Sequence, residues 1–281
     1  MPLPSTVFAR PLGRLAVFAI IAAWCASPVQ AGETDCGTNG ASIVRSAYPS
    51  AKQTATGVFE FDGASIRVPG EADDGPHTML CRRWPARPGL TLVAVPLMTD
   101  RSADGNEGDI ELLVVDSANF AIRQRSRLPG LMSDDAFYIS NIAFDTARYH
   151  LAPGETAFGL RLSRQGSSRP NPFGETALWL FATGDHGLRP VLDNIVVAKN
   201  QGEWDTNCAG EFHETKRTLA MKPSAGSAYA DIVVTERNRT IISSLSNDGT
   251  CASKEETSTS EYRLAYDATA YRLPDDLKRL E

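Results

Sequence analysis

The feature that most restricts the fold of this chain is a series of short apolar runs, each closed off by turn-forming residues. "LTLVAVPLM" (Leu90–Met98), "IELLVVD" (Ile110–Asp116), "ALWLFAT" (Ala177–Thr183), "NIVVAK" (Asn194–Lys199), "ADIVVTE" (Ala230–Glu236) and "RTIISSL" (Arg239–Leu245) are rich in β-branched and bulky residues. Runs of this length suit strands and are too short for stable helices. The residues between them are turn formers: "GDHG" at Gly184–Gly187 and "SNDGT" at Ser246–Thr250. In "GVFEFDGASIRVP" an Asp-Gly pair divides two alternating segments, the strongest short-range hairpin signal. The pattern predicts a mainly β fold, an antiparallel sandwich or stacked meander sheets, with one or two short helices. "ASIVRSAY" before Pro49 and "PDDLKRL", with a proline at a first-turn position and acids preceding bases, are the helical segments.

Three segments echo one another. "FDGASIRVP" from Phe61, "FDTARYHLAP" from Phe144 and "YDATAYRLP" from Tyr266 share an aromatic, an aspartate and, four residues after it, a bulky apolar residue followed by His or Arg. Their spacing is uneven, which excludes a solenoid or propeller of fixed period. The expected unit is a hairpin tightened by Asp62, Asp145 and Asp267.

The first 31 residues read as a secretory signal peptide. Arg10 and Arg14 precede an apolar run from Leu15 to Trp24, and Val29-Gln30-Ala31 presents compact residues for cleavage. The run makes a helix of roughly 15 Å, half of the roughly 30 Å hydrocarbon core, so no transmembrane anchor is expected. Trp24 before Cys25 is too bulky for lipoprotein processing. Residues 32–281 then form a single β-rich mature region, with a subdivision expected near 198–205. Removing the two arginines takes the formal charge from −6 to −8. An acidic chain without clustered bases gives no support to nucleic-acid binding.

Export places the remaining cysteines, Cys36, Cys81, Cys208 and Cys251, in an oxidising compartment. Of three pairings, Cys36 with Cys81 and Cys208 with Cys251 closes two loops of similar size, each contributing about 4 kcal/mol by chain entropy. The wide spacing is unlike that of a zinc site.

The segments "LLVVDS", "DTARYHLAPGETAFGLRL" and "GEWDTNCAGEF" are similar to a group of secreted hypothetical proteins of Gram-negative bacteria with no assigned function. That resemblance implies periplasmic or extracellular residence and carries no catalytic residues.

Signatures of known catalysis are absent: no Gly-x-Ser-x-Gly elbow, no His-Glu-x-x-His and no phosphate-binding glycine loop. The four histidines, His77, His150, His186 and His213, are not spaced to converge locally. Asp134 and Asp135 could serve a glycosidase only by presence, because adjacent strand residues point to opposite faces. Arg123, Arg125 and Arg127 alternate along one strand face, and "CRRWPARP" places Arg82, Arg83 and Arg87 beside Trp84. One reading is a basic and aromatic surface for an acidic partner; the other is a solvated face balanced by carboxylates on the neighbouring strand.

"TDRSADGNEGDIELLVVD" (Thr99–Asp116) is the best ligand pattern in the chain. With Asp100 first, Ser102, Asp104, Asn106 and Glu111 occupy the third, fifth, seventh and twelfth places of an EF-hand-like calcium loop, and Gly105 takes the turning position. Glu107 stands where an aliphatic residue is usual, and the flanks read as strands. The alternative is a hydrophilic hairpin connection. The sequence therefore points to a secreted periplasmic β-rich binding or interaction protein whose partner is an envelope protein or polymer. A calcium-stabilised β scaffold and a carboxylate-dependent carbohydrate hydrolase are the alternatives.

Overall fold

The computed structural model describes residues 36–70, 75–102, 105–184 and 187–279, so residues 1–31, expected from the sequence to be a signal peptide, lie outside the described residues. Glu33–Glu281 forms one compact unit built on two seven-stranded sheets in which the ladders between successive strands are antiparallel.

The first sheet holds β1 (Lys52–Ala55), β2 (Val58–Phe61), β3 (Ala64–Arg67), β4 (Leu80–Arg83), β5 (Leu90–Arg101), β6 (Asn106–Asp116) and β7 (Ile122–Leu128), in the order β1-β2-β3-β5-β6-β7 with β4 also on β5. The second is a plain meander from β8 (Phe137–Ala152) through β9 (Glu155–Gly166), β10 (Phe173–Gly184), β11 (Gly187–Trp204), β12 (Gly210–Lys222) and β13 (Asp231–Leu245) to β14 (Cys251–Leu264). Residues 198–204, where a subdivision is expected, lie inside β11. "ASIVRSAY" falls in helix α1 (Gly40–Ala47) and its cap, Tyr48. Near the carboxyl end only the 3-10 turn Asp275–Leu277 forms, because Leu277 is buried and Lys278 already bridges to Ile195 in extended conformation.

Three apolar clusters account for the long apolar runs. Between the sheets, Trp84, Leu92, Ile110, Leu112 and Val114 meet Phe144, Phe158, Leu160, Trp179 and Phe181. On the other face of the first sheet, Ile43 and Val44 of α1 pack with Phe59, Ile66, Val93, Val95, Leu113 and Val115. β5 and β6 are thus covered on both sides, which is why their sequences are continuously apolar rather than alternating. Each fully buried side chain of this size contributes roughly 1.5–3 kcal/mol.

The third cluster lies inside the second sheet, which curls until its flanks meet: Ala230 N donates to Leu151 O at 2.7 Å, drawing the start of β13 to the end of β8. Register shifts between β10 and β11, as at Thr176/Ala177, supply the bend. Leu151, Leu178, Leu180, Leu192, Ile195, Ile232 and Val234 fill the concave side, closed by Tyr271 and Leu277.

Both disulfides pair as the spacing predicts, Cys36 with Cys81 and Cys208 with Cys251. Asp62 (φ 50°) and Gly63 (φ 77°) form the tight turn between β2 and β3. Asp267 sits in a comparable turn, with Tyr266 bridged to Tyr271. At Asp145 the expected hairpin is instead a bulge inside β8: Asp145 lies opposite Gly159 and Tyr149 opposite Ala157, so four residues of advance face two. The Asp145 carboxylate holds it by accepting from Ala147 N at 3.0 Å and from Arg161 Nη2 at 2.6 Å.

Candidate functional site

The acidic loop joins β5 to β6 as a hairpin connection. Asp100 stands opposite Glu107 and Arg101 opposite Asn106, while Ser102 Oγ donates to Gly105 O at 2.9 Å. Asn106 Nδ2 donates to Asp134 Oδ1 at 2.7 Å. Glu111 lies opposite Val95, five residues along an extended strand from Asn106, or roughly 16 Å at about 3.3 Å per residue. A calcium loop must coil to bring its first and twelfth places onto one ion; β6 holds Glu111 away from the others. Asp104 lies outside the described residues. Among the described residues no group of three or more His, Cys, Asp or Glu side chains is arranged to hold a metal.

Glu111 has a different task. Its carboxylate accepts from Arg125 Nε at 2.7 Å, from Arg125 Nη2 at 2.8 Å and from the Tyr48 hydroxyl at 2.6 Å. Burial by itself would raise this carboxyl, but the hydrogen bonds from Arg125 and Tyr48 outweigh it and hold the pKa below its ordinary value. Burial and the bond to Glu111 push the Tyr48 phenol up. The group locks the end of α1 onto β6 and β7.

Arg123 and Arg127 behave like Arg125. Arg123 Nη2 lies 2.7 Å from Asp116 Oδ2 and Arg127 Nε lies 2.6 Å from Asp109 Oδ2. The arginine row of β7 faces a carboxylate row of β6, which matches the balanced-face reading. Trp84, expected on the same surface, is instead fully buried, edge-on to Phe158 with ring centres 5.3 Å apart, because the core between the sheets requires its volume. Asp134 is consumed by Asn106 and by Ile139 N, which donates to its Oδ2 at 2.8 Å. His150 and His213 lie on exposed strand faces beside threonine hydroxyls, and His186 lies outside the described residues.

What remains without a structural task is an arm of the second sheet. It comprises Lys199–Trp204 of β11, Gly210–Lys216 of β12, Arg237–Leu245 of β13 and Cys251–Glu261 of β14, and none of these residues is buried. The ladders from β11 to β14 run unbroken here, with β14 forming the edge of the sheet, while both faces meet solvent. The Cys208–Cys251 bridge pins the tip. Across the strands, Arg239 reaches Glu255 at 2.7 Å and Thr215 Oγ1 donates to Asn238 Oδ1 at 2.8 Å.

Of the four exposed large apolar side chains among the described residues, Ile242 (43% exposed) and Leu245 (60%) lie on this arm, and Phe137 (45%) and Tyr138 (42%) open β8. Phe137 packs on Phe173 with ring centres 4.4 Å apart, and the two rings with Pro172 form one wall of a groove of about 420 Å³. Gln201, Glu203, Glu211 and His213 form the other wall. A second cleft of about 410 Å³ also has Pro172, Gln201 and His213 in its lining and reaches Phe212 and Ile241, whose side chains lie on the sheet face opposite that of Glu211 and Ile242. Gly202 makes room for Phe212, since a Cβ there would lie 2.5 Å from Phe212 Cδ1. Sequence reasoning missed this surface, although one signal was present. Ile241 and Ile242 are adjacent in a strand flanked by polar residues, so one of them must point to each face.

Comparison of the chain with protein-family models, curated proteins and solved structures finds no match. The described residues include no helix long and apolar enough to cross a membrane.

Proposed function

We propose that this chain is a secreted binding protein whose docking surface is the arm end of its second sheet. One observation carries the reading: the arm contributes no buried residue, carries the exposed Ile242 and Leu245, and forms one wall of a groove whose other wall is the half-exposed Phe137 of β8 on Phe173. Scattered exposed apolar residues need no explanation, but a gathered group rimmed by polar residues is the usual mark of an interaction site. Two disulfides suit an oxidising compartment outside the cytoplasm. Glu111 serves an ion pair with Arg125, and Asp134 and Asp135 accept from backbone and side-chain groups around the start of β8, which favours binding over hydrolysis.

The test is capture of partners from the native cell envelope with Phe137→Ser/Ile242→Ser. Both residues are about half exposed, so the double variant keeps its melting temperature within about 2 °C, the shift of a typical surface change. Captured material falls at least tenfold relative to the parent, whereas Arg123→Ser/Arg127→Ser captures as the parent does. Equal capture by the Phe137/Ile242 variant overturns the proposal.

A further inference from the structure

Glu203 of β11 and Glu211 of β12 stand directly opposite one another in the ladder, both exposed and both on the wall of the Phe137–Phe173 groove. Like charges at facing positions work against the sheet. Other charges on the arm find counter-charges: Arg239 pairs with Glu255, Lys254 with Glu256 at 2.6 Å, and Lys216, which faces Arg237, lies 3.5 Å from Glu214. Here the ion-pair contact among the described residues is with His213, whose Nε2 lies 3.3 Å from Glu211 Oε1. Among the described residues Glu203 has no ion pair. The aromatic wall suits a cation: Lys199 Nζ sits 5.8 Å from the centre of the Phe173 ring.

We propose that the groove docks an extended basic peptide segment of the partner, a basic side chain lying between the Glu203–Glu211 pair and the Phe137–Phe173 rings, with an apolar neighbour on Ile242. The inference rests on the arm being the docking surface and adds the chemistry of what it holds. Charge complementarity selects the occupant: two facing carboxylates are neutralised by a cation, and apolar walls take the flanking side chains. The chain's formal charge of −6 favours approach of a basic segment. A peptide alternating basic and apolar residues presents both together, whereas an amino-sugar polymer presents the charge without the apolar side chains.

The experiment titrates the full mature protein by calorimetry with three probes: acetylated Lys-Phe-Lys-Phe-Lys amide, its Glu-Phe-Glu-Phe-Glu counterpart and a chitosan pentamer. The expected result is saturable binding of the basic peptide at least tenfold tighter than either of the others, weakened at high salt. Glu203→Gln/Glu211→Gln, which removes the repulsion and folds at least as well as the parent, loses at least tenfold in affinity. Phe137→Ser loses a comparable factor. Absence of saturable binding by the basic peptide, equal binding of chitosan, or unchanged affinity in the Gln/Gln variant each overturns the inference. If envelope capture still depends on Phe137 and Ile242 while the basic peptide fails to bind, the docking surface stands and only its assigned occupant falls. If capture does not depend on them, the surface itself falls.

Discussion

β13 passes through two environments within fifteen residues. From Asp231 to Val234 it is buried, with Ile232 and Val234 inside the curled sheet; from Arg237 onward every residue is at least partly exposed. The ladders on both sides continue unbroken across the change. The hydrogen bonds of the sheet are thus indifferent to burial, and what differs is the side-chain contract. The first half is stabilised by apolar area removed from water. The second depends on cross-strand pairs worth roughly 0.2–1 kcal/mol each and on the disulfide at its tip. A surface so weakly stabilised is suited to holding something else.

The disulfides sharpen that contrast most, because their loops are nearly equal. Cys36 and Cys81 are 45 residues apart and Cys208 and Cys251 are 43 apart, so each constrains the unfolded chain by about 4 kcal/mol. The first is buried beside α1 and the second caps the arm. Cys36→Ser/Cys81→Ser is expected to lower global stability by the full amount in denaturant unfolding. Cys208→Ser/Cys251→Ser is expected to cost less globally and to appear as lost amide protection over 237–245 with Ile232–Val234 still protected. Equal global losses with uniform protection would mean that arm and core unfold as one body.

Next in size is Glu111, on the buried side of the comparison. Glu111→Ala leaves Arg125 and the Tyr48 hydroxyl without their acceptor. Breaking a fully buried pair costs about 3–5 kcal/mol, but the Arg125 side chain is 45% exposed and solvent screens it, so about 2 kcal/mol is expected. The folded pKa of Glu111 lies below its ordinary 4.5, so its contribution is complete above that value and is lost as pH falls through the folded pKa. The stability gap between parent and variant, followed by chemical denaturation, should therefore narrow progressively below about pH 4.5. A gap independent of pH in that range would show that the carboxylate charge is not what holds α1 in place.

Local chemistry was legible in the sequence and long-range closure was not. The Asp62-Gly63 turn, the α1 segment and the cysteine pairing follow from neighbours or from spacing alone. The curl of the second sheet depends on Ala230 meeting Leu151, two positions that no local pattern connects. The calcium spacing misled for a related reason. Positions one to twelve predict a shared ion only if the chain coils, and in a strand the same spacing separates Glu111 from the loop. Its true partners, Arg125 and Tyr48, are 14 and 63 residues away. The exposed arm was legible only in the adjacent Ile241 and Ile242, because exposure, unlike apolarity, is a property of the assembled sheets.

The smallest effect separates two neighbours in one row. Arg123 and Arg125 are alternate residues of β7, both bound to carboxylates of β6 at 2.7 Å. Only Arg125 also serves a buried group, with its guanidinium carbon 5.3 Å from the centre of the Tyr48 ring. The Arg123 side chain is 55% exposed and Asp116 is also steadied by Ala118 N, which donates to its Oδ1 at 2.9 Å. Losing Arg123 therefore leaves a solvated carboxylate with a backbone donor. Arg123→Ser is expected to change unfolding free energy by less than about 0.5 kcal/mol, as exposed pairs generally do. Urea unfolding of the variant at low and high salt is the measurement. A loss near that of Glu111→Ala that persists at high salt would make the arginine row a coupled network in which exposure does not set the size of each effect.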